Sequence, residues 1–255
     1  MLYSTHWVII MFFVTDNNIP EGVGFQTFGL THILWLLAGF VFCVAACIFY
    51  RRLSEGKRKT VRTVLGTYIF LQEILKNLVL LCLGEFSWGH LPFHLCGINI
   101  LLIFFDVIKQ TKVVRSFLYY FCIPGAALAL LFPNWTDMPV WNFFHLHSFT
   151  IHILLILYPM LLVTTREVST DLKSALQGTA LLVAMAIPVY GLNLLWDTNF
   201  MFLMEPDSGN PLELFEQLLG SHLWGFPILL PIVILLMYIP ARIFINRKAS
   251  SKVGS

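Results

Sequence analysis

Charged side chains are scarce in this chain: its 255 residues include only 16 lysines and arginines and 14 aspartates and glutamates, or 12%. Soluble domains carry about 25% charged residues. Hydrophobic residues make up 58% of the sequence, which excludes a soluble domain and indicates an integral membrane protein. The net charge is only +2, and there is no basic face interleaved with aromatic residues, so a nucleic-acid partner is excluded.

Three further features that the sequence lacks reduce the number of possible functions. The last apolar run, residues 219–245, has no lysine, which removes the Schiff-base site of a seven-helix opsin. The histidines and cysteines lack the ligand spacing of a known metal motif. The apolar patch at residues 7–14 has neither a basic region before it nor a cleavage site after it, so we expect a segment lying on the membrane rather than a signal peptide.

Long apolar runs dominate what remains. A membrane-crossing helix needs about 17 to 25 residues, and we predict seven such helices. The predicted spans are Phe28–Tyr50, Thr60–Gly84, Pro92–Val107, Val114–Phe132, Trp141–Val163, Ala175–Trp196 and Leu219–Ile245. We therefore predict an all-α polytopic membrane protein with an interfacial segment at residues 1–27, a seven-helix domain at 28–245 and a basic cytoplasmic tail at 246–255.

The basic residues predict the orientation of these helices. Fifteen of the 16 lie on alternate connections or in the tail, and the exception, Lys76, lies within the second helix. Because lysine and arginine are enriched on the cytoplasmic side, the N-terminus is expected outside and the C-terminus in the cytoplasm. The fifteen are Arg51, Arg52, Lys57, Arg58, Lys59, Arg62, Lys109, Lys112, Arg115, Arg166, Lys173, Arg242, Arg247, Lys248 and Lys252.

The stretch HLPFHLCGIN, residues 90–99, places polar groups at the outer end of the third helix. Polar side chains within a membrane indicate a functional site because lipid packing does not require them. A thiol close to an imidazole and a helix N-terminus can act as a nucleophile, so Cys96 is a candidate, although packing is the commoner role of such a cysteine. We place His94 in the first helical turn. Asn99 shares the face of Cys96 and could stabilise an oxyanion.

Other polar residues are predicted at the same depth. Glu73 and Lys76, three residues apart on the second helix, can form either a structural ion pair or a site for a substrate head group. On the fifth helix, spacing puts His145 and His152 on one stripe and His147 nearly opposite. The remaining candidates are Asn193 and Asn199 near the outer end of the sixth helix, where the apolar segment 200–203 is expected to fold back as a lid or an interfacial wall.

These residues are compatible with three functions. A Cys–His couple favours covalent acyl transfer. The second function is a sensor or transporter in which the same groups bind a ligand or relay protons. The third is a metal-dependent lipid hydrolase using His32, His94, His145 and His152. No carboxylate is evident near these histidines to orient them, so we expect no metal or other cofactor.

The motif HLPFHLC, the histidine-bearing fifth helix and the motif DTNFMFL at residues 197–203 together resemble the YwaF-like bacterial membrane proteins and their eukaryotic relatives, the transmembrane protein 164 family. The likeness extends from about Phe28 to Pro240. It implies a multi-pass acyltransferase that uses a cysteine and a histidine to move fatty acyl chains onto glycerophospholipids. The family cysteine falls on Cys96; the family histidine could be His145, His147 or His152, of which we favour His152.

We therefore predict acyl transfer on phospholipids or related lipids through a Cys96 thioester, with His152 or His147 as the base. Substrate-binding or oxyanion roles fall to a larger set of polar residues. These are His94, Asn99, Glu73, Lys76, His145, Asn193 and Asn199. The expected partners are membrane lipids, the sequence does not indicate an oligomeric state, and the expected location is a cell membrane, with the bacterial cytoplasmic membrane favoured.

Overall fold

A computed structural model describes residues 10–15, 18–20, 22–206 and 211–253, with no side-chain description for Pro211 or beyond Ile243. All regular secondary structure in these ranges is helical. We number the main helices in chain order. They are α1 (Leu30–Arg51), α2 (Glu55–Leu83), α3 (Leu95–Lys109), α4 (Lys112–Leu131), α5 (Phe143–Thr164), α6 (Leu172–Trp196), α7 (Pro211–Leu219) and α8 (Gly225–Val253).

Six helical segments within the described ranges are long and apolar enough to cross a membrane. They correspond to six of the seven predicted spans, so the chain has the architecture of a multi-pass membrane protein. The third predicted span differs, because α3 has 15 residues and is therefore only about 22 Å long, against about 30 Å of hydrocarbon. The six segments are Leu30–Arg51, Glu55–Leu83, Lys112–Leu131, Phe143–Thr164, Leu172–Trp196 and His222–Ile243.

The entry into α3 explains its short length. The helix begins at Leu95, after an extended residue, His94 (φ −64°, ψ 157°), so the prediction that His94 lies in the first turn was wrong by one position. The chain before the helix folds back on the first turn: a Cβ added to Gly97 would lie 2.5 Å from the Cα of Pro92. Only glycine leaves room for this contact. Because the helix begins at Leu95, Cys96 lies inside its first turn.

The Gly97 contact makes a testable prediction. In Gly97→Ala the new methyl group meets the Pro92 backbone, and overpacking of this kind costs about 1 to 3 kcal/mol. We therefore expect a lower apparent melting temperature in detergent. Gly191→Ala in α6 is the matched control, because a Cβ there meets nothing within 4 Å in the described part of the chain. A Gly97→Ala protein as stable as Gly191→Ala would contradict the interpretation.

The last predicted helix is also interrupted. The structure contains α7 at Pro211–Leu219, a single helical turn at His222–Trp224 and then α8. Gly220 separates α7 from the turn with φ of +74°, a conformation that glycine adopts without strain. The prediction that one helix begins at Leu219 was therefore wrong at its start.

The tail at 246–255 lies outside the residues with described side chains, and the α8 backbone is helical to Val253.

A network of ion pairs joins the ends of α2, α3, α4 and α5 at one end of the bundle, which we call the basic end. Arg115 bonds to Asp106 at 2.9 Å and to Glu167 at 3.2 Å, and Arg62 bonds to Glu167 at 2.7 Å. The Tyr158 hydroxyl donates to the second oxygen of Asp106 at 3.0 Å. Three connections rich in lysine and arginine thus meet at one end, as the alternating charge pattern predicts.

The opposite end, which we call the site end, is held by Asn142. Its side-chain oxygen accepts hydrogen bonds from the backbone of Phe144 and His145 and so caps α5. Its nitrogen donates to the carbonyls of Met11 and Val14. The described part of the predicted interfacial segment therefore packs on the start of the histidine-bearing helix; residues 1–9, 16–17 and 21 of that segment lie outside the described residues.

Candidate active site

Cys96 and His152 meet between α3 and α5 at the site end. The Cys96 Sγ lies 3.2 Å from the His152 Nε2, which is within hydrogen-bond reach for a sulfur donor. The two residues come from separate helices and are 56 positions apart in the sequence. A thiol next to an imidazole is the basic arrangement of a cysteine nucleophile and its base.

The second ring nitrogen determines what His152 can do. Its Nδ1 lies 2.7 Å from the backbone oxygen of Ser148, one turn earlier in α5. A carbonyl oxygen only accepts hydrogen bonds, so the neutral ring carries its proton on Nδ1. The Nε2 lone pair therefore faces Cys96 and can receive the thiol proton.

Trp135 stacks on one face of the His152 imidazole. Its ring stacks on His152 with centroids 5.3 Å apart and planes inclined by 12°. It also contacts Phe149 edge to face at 5.3 Å. The sequence did not identify Trp135, because it lies in the connection between α4 and α5, where helical spacing makes no prediction. Stacking on one face and the Ser148 bond at one edge together fix the ring orientation.

Asn99 is the buried polar group nearest to Cys96 in sequence. It lies three residues further along α3, on the same face, and is only 1% exposed. Neither its side-chain oxygen nor its nitrogen has a hydrogen-bond partner among the described residues. Buried amides without partners are rare because they are costly, so this amide is suited to a ligand that supplies the missing bonds.

Two charged residues of α2, Glu73 and Lys76, form an ion pair near the Cys96 thiol. The Lys76 Nζ donates to Glu73 at 2.7 Å and to the carbonyl of His90 at 3.3 Å. The Asn77 side-chain nitrogen donates to the same Glu73 oxygen at 3.0 Å, and Glu73 is close enough to Cys96 for an electrostatic interaction. The pair therefore attaches α2 to the chain entering α3 and forms a polar wall next to the site.

His147 faces a different neighbour from His152. Its imidazole stacks on the ring of Phe143, with centroids 6.2 Å apart, and interacts electrostatically with Lys76 and His152. The residue is 9% exposed, and its Nε2 has no hydrogen-bond partner within the described ranges. His147 therefore lies on the polar wall and not against Cys96, whose partner is His152.

The segment 200–203 folds back over the entry to α3, as its apolar sequence predicted. Met201 donates its backbone N–H to the Nδ1 of His94 at 3.4 Å, and the Phe200 ring lies 5.3 Å from that imidazole. Phe200 is fully buried. His94, the residue immediately before α3, therefore anchors this segment.

The two asparagines of α6 and its following loop hold that segment in place. Asn193 donates to the Phe200 carbonyl at 3.0 Å and accepts from the Phe200 N–H at 2.8 Å and from the Thr198 hydroxyl at 3.0 Å. The side-chain oxygen of Asn199 accepts from the backbone of Met204 and Glu205. Both amides are thus engaged by nearby backbone, which favours a positioning role over contact with a substrate.

His145 and His32 lie among aromatic rings. His145 is completely buried, with Phe25 at 5.0 Å and Phe149 at 4.9 Å between ring centroids. His32 uses both ring nitrogens, on the Leu130 carbonyl at 2.7 Å and the Phe28 N–H at 2.8 Å. In the parts of the chain that the structure describes, no group of three His, Cys, Asp or Glu side chains could hold a metal ion.

Comparison with known proteins gives one result. The model of the TMEM164 family matches residues 27–239. The chain belongs to the TMEM164 family. No curated protein and no solved structure matches it.

The TMEM164 match includes α1 to α7, the first half of α8 and every residue that the sequence nominated for the site. Within this TMEM164-family chain the structure joins Cys96 to His152 and puts Glu73, Lys76 and His147 on an adjacent wall. Gly97 and Trp135, which the sequence did not nominate, also belong to the matched region.

Proposed function

We propose that this protein is a membrane-embedded acyltransferase that moves fatty acyl groups on phospholipids or related lipids through a Cys96 thioester. The observation that supports this most directly is the 3.2 Å contact between the Cys96 Sγ and the His152 Nε2. The Ser148 carbonyl at 2.7 Å from Nδ1 leaves Nε2 as the proton acceptor. An ion relay or a ligand-binding pocket does not require a thiol in this position.

The first half of the reaction follows from this geometry. His152 takes the thiol proton as the Cys96 sulfur attacks the carbonyl carbon of a lipid ester. The C–S bond forms, the ester C–O bond breaks, and the proton passes from His152 to the departing alkoxide. The second half transfers the acyl group from sulfur to the hydroxyl of an acceptor lipid and restores the thiol.

Asn99 supports the charged intermediate in this proposal. Its buried amide nitrogen, which has no partner among the described residues, donates to the oxyanion that develops on the carbonyl oxygen. The position of Cys96 in the first turn of α3 adds a second stabilising influence, since the N-terminus of a helix favours negative charge. Glu73 and Lys76 hold polar atoms of the lipid head group.

The membrane arrangement is part of the same proposal. We place the basic end in the cytoplasm, following the positive-inside rule, so the site lies in the outer half of the membrane. In this proposal the 15-residue helix α3 and the turn that precedes it together account for the seventh crossing. The resemblance to bacterial proteins favours the cytoplasmic membrane of a bacterium.

Intact-protein mass spectrometry tests the proposal. The detergent-purified protein is incubated with phospholipids near neutral pH, and we expect a mass gain of one fatty acyl group that hydroxylamine removes. Cys96→Ala should lack the adduct. Cys82→Ala is the matched control, because Cys82 is exposed on α2 and should be dispensable.

Two results would contradict this function. An adduct that survives in Cys96→Ala and disappears in Cys82→Ala would indicate acylation of an exposed cysteine. The absence of any adduct, together with a Cys96 that does not react with alkylating agents, would favour the sensor or transporter.

A further inference from the structure

The short helix α7 has two apolar sides, and the described chain covers one of them. Leu212 is buried and, together with Phe215, packs on Gly225, where an added Cβ would lie 2.5 Å from the Leu212 side chain and 3.0 Å from that of Phe215. Leu214 and Leu218 lie one turn apart on a second stripe, about 110° around the helix from the first. They are 55% and 71% exposed, so this second side is open.

The polar side chains of α7 occupy the rest of its circumference. The Gln217 side-chain nitrogen donates to the Glu213 carboxylate one turn earlier, at 3.4 Å. The Glu216 carboxylate lies 3.4 Å from the Nδ1 of His222, in the turn before α8. No polar residue therefore interrupts the open leucine stripe, and α7 is held to the start of α8 by both an apolar contact and a polar one.

The contact with Gly225 determines the depth of α7. The membrane-length segment that contains α8 begins at His222, so Gly225 lies about one turn inside it. Leu219, the last residue of α7, is three positions before His222 and no more than about 11 Å from it. The head-group layer beside the hydrocarbon is itself only about 5 to 7 Å thick. The helix α7 therefore lies at the boundary between hydrocarbon and water.

We propose that α7 is an interfacial helix that binds the lipid leaflet at the site end by inserting Leu214 and Leu218 among the acyl chains. Exposed leucines at this depth meet hydrocarbon, which gains them the burial that water denies. Trp224, exposed at the start of the same segment, is a residue type enriched at this boundary. The helix follows the segment 200–203 in the chain, and its role does not depend on the proposed acyl transfer.

The charges of α7 indicate which force holds it in the leaflet. Its charged residues, Glu213 and Glu216, are both acidic, and no lysine or arginine occurs between Lys173 and Arg242. Interfacial helices are commonly rich in lysine and arginine on their polar face, which attracts anionic lipids, and α7 has no such residue. Apolar burial is therefore the driving force, and binding requires no anionic head group.

Spin labels at two adjacent positions test the insertion. The full-length protein, with the exposed Cys82 replaced by alanine, carries a label at Leu218→Cys or at Gln217→Cys in phosphatidylcholine vesicles, and the signal of the Cys82→Ala parent is subtracted. We expect the label at position 218 to collide with oxygen, which dissolves in hydrocarbon, and to lose collisions with a water-soluble nickel chelate. The label at position 217 should reach the chelate. Added salt should change neither result, because no charge of α7 attracts the lipid.

Hydrogen exchange of unlabelled variants provides a measurement in which no label disturbs α7. Leu218→Ser removes the inserted side chain, and Gln217→Ser is the matched control one position away. In phosphatidylcholine vesicles the amides of residues 212–219 should exchange about 5- to 50-fold faster in Leu218→Ser, as expected for losing most of the burial of one leucine. Gln217→Ser should stay within about twofold of wild type.

Three results would overturn the inference. Equal access of the chelate to both labels would place α7 in water. Exclusion of both oxygen and the chelate from position 218, with a spectrum broadened by a neighbouring spin, would show that a second copy of the chain covers the leucines. Exchange in Leu218→Ser that is no faster than in Gln217→Ser would contradict the insertion without reference to any label.

Discussion

Replacing His152 with asparagine will slow the acylation of Cys96 by about 10²- to 10⁴-fold, the usual contribution of a general base. The asparagine nitrogen can keep the bond that Nδ1 makes to the Ser148 carbonyl, so the helix should be little disturbed. What is lost is Nε2, the atom 3.2 Å from the thiol. The rate is measured as the appearance of the acyl adduct by mass spectrometry.

Thr150→Ala is the matched control for this prediction. Thr150 is two residues from His152 on α5 and lines an apolar groove between α1, α2 and α5, so its variant should acylate Cys96 within about twofold of wild type. Alkylation by a small reagent provides a second readout that needs no lipid. If His152→Asn is acylated by the lipid and alkylated by the small reagent as fast as Thr150→Ala, His152 is not the base.

Replacing Asp106 with alanine will remove about 3 to 5 kcal/mol of stability, the usual cost of breaking a buried ion pair. Asp106 is 1% exposed and accepts from Arg115 at 2.9 Å and from the Tyr158 hydroxyl at 3.0 Å. Its removal leaves Arg115, which is 8% exposed, with Glu167 as its remaining ion-pair partner in the described residues. Thermal unfolding in detergent should show a lower melting temperature, by about 2 to 4 °C per kcal/mol for a chain of this size.

Two further variants isolate the cause of that loss. Lys109→Ala removes an exposed charge at the same end of α3 and should change stability by less than about 0.5 kcal/mol. The double variant Asp106→Leu with Arg115→Met removes both charges and should recover much of the loss, since apolar groups often replace a buried pair at little cost. A double variant less stable than Asp106→Ala would show that the charges are not the cause.

The sequence predicted six of the spanning helices because a hydrophobic run of membrane length has few alternatives. It could not predict where α3 begins, because that depends on the contact between Gly97 and Pro92, which is a matter of three-dimensional packing. It also predicted one continuous helix from Leu219 onward, whereas the chain turns at Gly220, which has φ of +74°.

The site was predicted in part. Cys96 was nominated because a thiol beside histidines is unusual in a membrane helix, but spacing alone left three histidines on α5 as partners. The structure separates them by what each one touches: His152 contacts the thiol, His147 the ring of Phe143, and His145 a cage of aromatic rings. The role of Trp135 could not be predicted, since stacking between a loop and a helix leaves no periodic signal.

The ion-pair network has a mechanical consequence. It joins the ends of α2, α3, α4 and α5 through Arg62, Asp106, Arg115 and Glu167, whereas the Cys96–His152 contact at the far end is a single thiol–imidazole bond. Helices that are clamped at one end and lightly joined at the other separate most easily at the lightly joined end. The ion-pair network therefore acts as a fixed pivot, and we expect any separation of α3 from α5 to be larger at Cys96 and His152 than at Asp106.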